Sequence, residues 1–230
     1  MSSFTAPKLS DILFLDIETV HEMKSYNQLS HRTQHLRSKK ATAIKKREKD
    51  FEQRSDEELW YEKAGIFAEF GKIVVISVWR IDASDKIHIR SYYWDNEKSL
   101  LQEFCDMLDE HYCKPACYLC WHNAIEFDVP YLCRRALIHR LTLPRIMPFH
   151  RQKPRDMKIL DTMQMRKFGD RKAYTSLDLL CNIFNISTPK SDIDGSQVSS
   201  VYWNNNNLER IKEYCERDVG ALIEVYKRLC

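Results

Sequence analysis

No apolar run in this sequence is long enough to span a bilayer, and the opening residues "MSSFTAPKLSD" lack the basic and apolar segments of a secretory leader. A soluble, cytoplasmic protein is therefore expected, with no membrane partner. Internal repeats and low-complexity linkers are also missing, so the 230 residues read as one domain, 1–230. Of eight cysteines only Cys113, Cys117 and Cys120 gather, with His122 close behind, and no second cluster completes a four-ligand zinc site. "ACYLCWHN" reads as a strand that would turn Cys117 and Cys120 to opposite sides. Reduced cysteines packed as small hydrophobes are expected, and a zinc-dependent interaction module is the lesser alternative. The net charge of +3 is compatible with a polyanionic partner without indicating one.

What is present suits a folded α/β chain. Apolar residues make up 43% and charged residues 30%, enough for a sizeable core and against disorder. "DILFLDIE" is a first strand, and "KIVVISVWRI" and "KIHIRSYYW" form a hairpin around the turn "DASD". "SLLQEFCDMLDEHY" places Leu100, Leu101, Phe104, Met107 and Leu108 along one helical stripe. "ACYLCW" is a fourth strand, residues 127–140 a helix, and "DMKILDTM" holds a short fifth strand. A buried helix "SLDLLCNIF" and a loop "TPKSDIDGS" precede a long amphipathic helix capped by Asn207. Residues 23–70 differ in texture, basic and then acidic, with a capping box at Ser55 and Glu58. They read as a helical insertion within the domain.

"FLDIETV" places Asp16 and Glu18 in an otherwise core-like strand. Alternation puts both carboxylates on one face, roughly 6 to 7 Å apart, where they repel unless a cation lies between them. Oxygen-only ligands point to a hard ion such as magnesium or manganese. The alternative is a strand end with both groups solvated or paired to Lys and Arg. Asp128 opens a helix, where it serves as an N-cap or as a ligand. Tyr214 and Asp218, in "EYCERDV", lie four residues apart on one helical face, and there the alternative is a solvated aspartate beside a core tyrosine.

In this order and on these elements, the three segments resemble the DEDD (DnaQ-like) superfamily of 3′–5′ exonucleases. Asp16 and Glu18 match the first motif, Asp128 the second, and Tyr214 with Asp218 the third. The tyrosine marks the DEDDy branch. Within it the chain is similar to predicted exonucleases related to the proofreading domains of family-B DNA polymerases. The resemblance implies an RNase H-like mixed five-stranded sheet flanked by helices. It departs from the pattern in the long insertion and in Trp121, where a small residue is expected and where an indole would narrow the groove.

The activity so implied is two-metal hydrolysis of phosphodiester bonds from the 3′ end of single-stranded nucleic acid, DNA favoured and RNA possible. Asp16 would bridge two divalent ions, Mg²⁺ or Mn²⁺, with Glu18 and Asp218 completing one site and Asp128 the other. Tyr214, whose phenol ordinarily titrates near 10, would orient the attacking water and not act as a free base. Thr19 and Val20 would offer backbone groups to the terminal nucleotide. Asn123 is either a sugar or phosphate contact or a turn residue. Asp161 is read as a helix cap and Lys190 as a loop lysine. The basic stretch from Arg32 to Lys49 is either a track for the nucleic-acid backbone or a solvated helix face. No room remains after the third motif for a polymerase, so a polymerase or repair partner would act in trans. The rival class is a catalytically silent nucleic-acid-binding or adaptor protein on the same fold.

Overall fold

Alternation in the first apolar run sends its side chains to two faces, and the fold is organised by that division. In the computed structural model, which describes residues 6–147, 157–170, 173–187 and 193–230, this run is strand β1 (Ile12–His21). Leu13, Leu15 and Ile17 enter one buried cluster, and Ile12 and Phe14 enter another across the sheet. The strand continues past Glu18 because Thr19, Val20 and His21 go on pairing with the next strand.

Helices α1 (His31–Arg47) and α2 (Asp56–Lys63) follow, then strands β2 (Gly71–Ile81) and β3 (Ile87–Tyr92). Helix α3 (Glu97–His111), strand β4 (Tyr118–Trp121), helix α4 (Asp128–Ile138) and strand β5 (Ile159–Asp161) come next. The described chain ends with α5 (Thr162–Lys167), α6 (Leu177–Phe184), α7 (Val198–Trp203) and α8 (Leu208–Leu229). The sheet order is β3-β2-β1-β4-β5, with β1–β2 and β2–β3 antiparallel and β1–β4 and β4–β5 parallel. This is the mixed, helix-flanked sheet of an RNase H-like fold.

One face packs against α3 and α4, where the stripe of Leu100, Leu101, Phe104 and Leu108 joins Val129, Leu132 and Ala136. The other face is covered by α8 through Val219, Leu222, Ile223 and Tyr226. Cys117 packs on the first face and Cys120 on the second, as alternation requires. His122 is held by Thr162 Oγ1 at 2.9 Å and the Thr175 carbonyl at 2.8 Å, so it is a strut between loops. Among the described residues these groups gather around no common point that would hold zinc.

Trp121 corrects an expectation. Its indole is fully buried in the α3/α4 cluster, because its place in β4 turns it to the same face as Leu119. It does not narrow a groove. Helix α7 was hidden in sequence, since "VSSVYW" is rich in the β-branched and aromatic residues that suit strands. Burial of Val198, Val201 and Tyr202 against Val20, Val74 and Val75 makes it helical.

A buried ionic knot orients α4. Glu97, in the first turn of α3, accepts from Arg135 Nε at 2.8 Å, from Arg135 Nη2 and from the Ile73 amide at 2.7 Å. His139 Nε2 lies 2.6 Å from the same carboxylate, and Arg135 Nη1 donates to the Ala68 carbonyl at 2.9 Å. Helices α3 and α4 are thereby locked to the start of β2. Gly71 is required at that junction: a Cβ there would lie 2.3 Å from the Tyr131 hydroxyl and 2.8 Å from the Gly65 and Val20 carbonyls.

Between β1 and β2 the chain is mostly helical. The capping box at Ser55 and Glu58 opens α2, with the Glu58 amide donating to Ser55 Oγ at 3.1 Å. Helix α1 buries only Arg37, Ala41 and Ile44. Arg37 donates to the Leu59 carbonyl at 2.9 Å and lies over the rings of Phe67 and Phe70. Lys190 lies outside the described residues.

Candidate active site

Two and four positions beyond Phe14 on the α8 face of β1 stand Asp16 and Glu18, while Leu15 and Ile17 point into the α3/α4 core. The period of a strand thus resolves how carboxylates sit in an apolar run: every second residue belongs to a different environment. Asp16 pairs in register with Ser77 of β2. Beyond it a β-bulge intervenes, for Glu18 faces Val75 and Thr19 faces Ile73, leaving Val74 extra. Bulges locally increase twist and re-aim side chains, and this one lies directly beside Glu18.

Helix α8 presents Tyr214, Cys215 and Asp218 toward β1, since Tyr214 and Cys215 lie four and three residues before Asp218 and so each neighbour it on the helix surface. A hydroxyl relay sets its position. Ser91 Oγ donates to Glu216 at 2.7 Å, so its single proton is used, and Ser77 Oγ donates to Ser91 Oγ at 3.0 Å. The Cys215 thiol lies 3.4 Å from the Asp16 carbonyl and 3.6 Å from its Oδ2. Ligand atoms of Asp16, Glu18 and Cys215 lie within 4.8 Å of one another.

Asp128, on α4, lies outside that 4.8 Å group but near enough for its charge to act on Asp16 and Glu18. It is the first helical residue, with Phe127 in the cap position, so its buried side chain does not serve as the N-cap. Asp161 does cap its helix: it accepts from the amides of Met163 and Gln164, and also from those of Asn123 and Ile125 across the neighbouring loop.

The electrostatics record how crowded the carboxylates are. Burial, then the charges of Asp218 and Asp128, push Asp16 well above the usual carboxylate range. Burial, then Asp16, Asp218 and Asp128, do the same to Glu18. Asp128 is raised to about 7, chiefly by burial. Four acids in one field cannot all ionise cheaply near neutral pH without a cation. Their donor set of carboxylate oxygens, with no imidazole, fits hard divalent ions. Cys215 is pushed well above its ordinary range by burial and by Asp16, so it stays a neutral thiol. Tyr214 is also raised strongly, by burial and then by Glu18 and Asp218, and its hydroxyl donates to Asp218. The phenol is a donor, not a base.

The remaining candidate contacts separate. Thr19 lines a cavity of about 240 Å³ that also contains Glu18. Val20 is fully buried in the core beneath α7, with its carbonyl near Gly71. Asn123 adopts a left-handed φ of 69° and shapes the turn after β4; its buried Oδ1 has no partner among the described residues. The cavity wall also includes Tyr61 from α2, Phe127 beside Asp128, and Ser196 and Ser199. Sequence reasoning missed these four. Only Phe127 carried a signal, its adjacency to a motif aspartate. A larger cavity of about 580 Å³ near Phe168 and Ile183 includes none of the clustered acids.

The fold is that of an α/β protein of the RNase H-like class, with paired carboxylates on β1 on which the charges of Asp128 and Asp218 act. No curated protein matches the chain. Residues 66–230 match the family described as predicted 3′–5′ exonucleases related to the exonuclease domain of PolB, and the chain belongs to that family. Asp128, Tyr214 and Asp218 lie within the matched span, whereas Asp16, Glu18, α1 and α2 precede it. Among the described residues no helix is long and apolar enough to cross a membrane.

Proposed function

We propose that the protein is a metal-dependent 3′–5′ exonuclease that hydrolyses single-stranded nucleic acid, with DNA the favoured substrate. The observation that supports this reading is that Asp16 and Glu18 share one face of β1, where burial and the charges of Asp128 and Asp218 raise their proton affinity. Membership in the exonuclease family supports it independently.

When bound, two Mg²⁺ or Mn²⁺ ions would stabilise charge on the attacking and leaving oxygens of an in-line displacement. The four carboxylates would hold them, since the charges of Asp218 and Asp128 act on both Asp16 and Glu18. Tyr214 keeps its proton and, through its bond to Asp218, fixes the side from which water approaches. Cys215 holds one Asp16 oxygen in orientation.

The cavity beside Glu18 receives the terminal nucleotide. Tyr61 and Phe127 offer aromatic faces to its base, and Thr19, Ser196 and Ser199 offer hydroxyls to its sugar. A paired end would bring a second strand against these walls, which favours an unpaired one. A polymerase or repair assembly acting in trans would supply such ends.

The test is a degradation ladder on matched 5′-labelled DNA and RNA strands with Mg²⁺ or Mn²⁺. Stepwise shortening from the 3′ end is expected. Asp16→Ala loses several kcal/mol of charge stabilisation, on the order of 10³-fold in rate. Equal turnover by both proteins overturns the assignment, and tight binding without cleavage by either favours a silent adaptor.

A further inference from the structure

Helix α1 sorts its basic residues by direction. Its 17 residues include seven Lys or Arg and no carboxylate. Arg37 and Lys45 turn inward, to the Leu59 carbonyl and to Asp56 at 2.9 Å. Arg32, Lys39 and Lys46 recur every seven residues on the opposite face, with Lys40 and Arg47 alongside, and all five are exposed. Lys40 rests over the ring of Phe67. Among the described residues, Arg32, Lys39, Lys46 and Arg47 form no ion pair, although Lys45, Arg54 and Lys63 of the same insertion all do.

A helix face kept only for solubility mixes both signs, because like charges one turn apart repel. Here one sign persists for about 22 Å of helix. Such a row is complementary to a polyanion. Its location identifies which one: α1 is clamped by Arg37 and Lys45 to α2, and α2 contributes Tyr61 and Glu62 to the wall of the cavity that contains Glu18.

We propose that the outer face of α1 binds the phosphate backbone of single-stranded nucleic acid, upstream of a 3′ end seated in that cavity. The proposal rests on the exonuclease reading and adds a second contact, made by the insertion, several nucleotides away from the chemistry. The cavity takes the last nucleotide whatever the length of the strand. The α1 face takes only strands long enough to reach it.

The experiment measures binding by fluorescence anisotropy in EDTA, with 5′-fluorescein dT20 and dT4, across a range of salt. Wild type is compared with the combined variant Arg32→Gln, Lys39→Gln, Lys46→Gln and Arg47→Gln, in which glutamine preserves helix propensity. Losing four phosphate contacts should flatten the log–log salt dependence for dT20 by about 2.8 and weaken binding roughly tenfold or more at low salt. Affinity for dT4 should not change. The double variant Lys39→Gln, Lys46→Gln should show about half the change in slope, which guards against a folding defect in the fourfold variant. An unchanged dT20 slope overturns the proposal. So does an equal loss on both strands. Failure of wild type to cleave any strand while the slope still changes rejects the exonuclease reading alone.

Discussion

Around Asp16 the charges are negative, buried and crowded; along α1 they are positive, exposed and evenly spaced. The first group is held by the sheet: β1 sets two acids on one face, a bulge in β2 lies beside Glu18, and the Ser77–Ser91–Glu216 relay sets α8 over them. The second is held by local means, the Ser30 cap of α1, one inward arginine and one ion pair. The contrast matches the two tasks proposed for these regions. Chemistry needs like charges forced together, which only a rigid core sustains, whereas backbone binding needs charges left free, which a lightly anchored helix provides.

The largest expected effect breaks the core side. Glu97→Ala leaves Arg135 buried without its carboxylate and should cost about 3–5 kcal/mol, read by urea denaturation. If the loss is below 1 kcal/mol, α4 is not oriented by this knot. Gly71→Ala, which drives a Cβ into the Tyr131 hydroxyl and two carbonyls, should likewise be destabilising, whereas Gly195→Ala meets open space and should be nearly neutral.

Next comes the dependence of metal-free stability on pH. Unfolded carboxyls titrate near 4, whereas Asp128 holds its proton to about 7 and Asp16 and Glu18 are also raised. Between those values the folded protein binds more protons than the unfolded one, so stability should fall as pH rises from about 4 through 7. The loss should be on the order of a few kcal/mol. Mg²⁺ should raise Tm far more at pH 8 than at pH 5, and Asp16→Asn should raise the Tm of the metal-free protein at pH 8. Calorimetry in EDTA and in Mg²⁺ reads all three, and a flat metal-free profile would contradict the crowding.

The insertion side predicts smaller and more selective changes. Tyr61 is largely exposed, so Tyr61→Ala should leave Tm nearly unchanged yet weaken binding of a 3′-terminal purine by about 1–3 kcal/mol. Tyr61→Phe should restore that binding, measured with a terminal 2-aminopurine; failure to restore it would reject stacking. Smallest of all, Ser55→Ala removes one cap and should cost about 1 kcal/mol, confined to amide exchange in α2.

Much of this was legible in one dimension. Periodicity located the five strands and the stripe of α3, and a single capping pattern correctly opened α2. Short-range spacing already places Asp16 with Glu18, and Tyr214 with Asp218, on common faces, whereas Asp128 was singled out only through the family resemblance. Other features carried no such signal. The Glu97–Arg135–His139 knot joins residues 38 and 42 positions apart, and nothing local marks Glu97 as buried. Helix α7 is made by its contacts, and Trp121 is innocuous because β4 turns it inward.

The sequence by itself determined which side chains share a face, since the periods of strand and helix are properties of the local backbone. It thereby specified two half-sites and an uncommitted basic helix. Only the tertiary structure decided that β1, α4 and α8 bring their acids into one field and that α2 walls the cavity beside them. Those relations depend on how elements pack over long sequence separations, where burial and repulsion, not spacing, set the outcome.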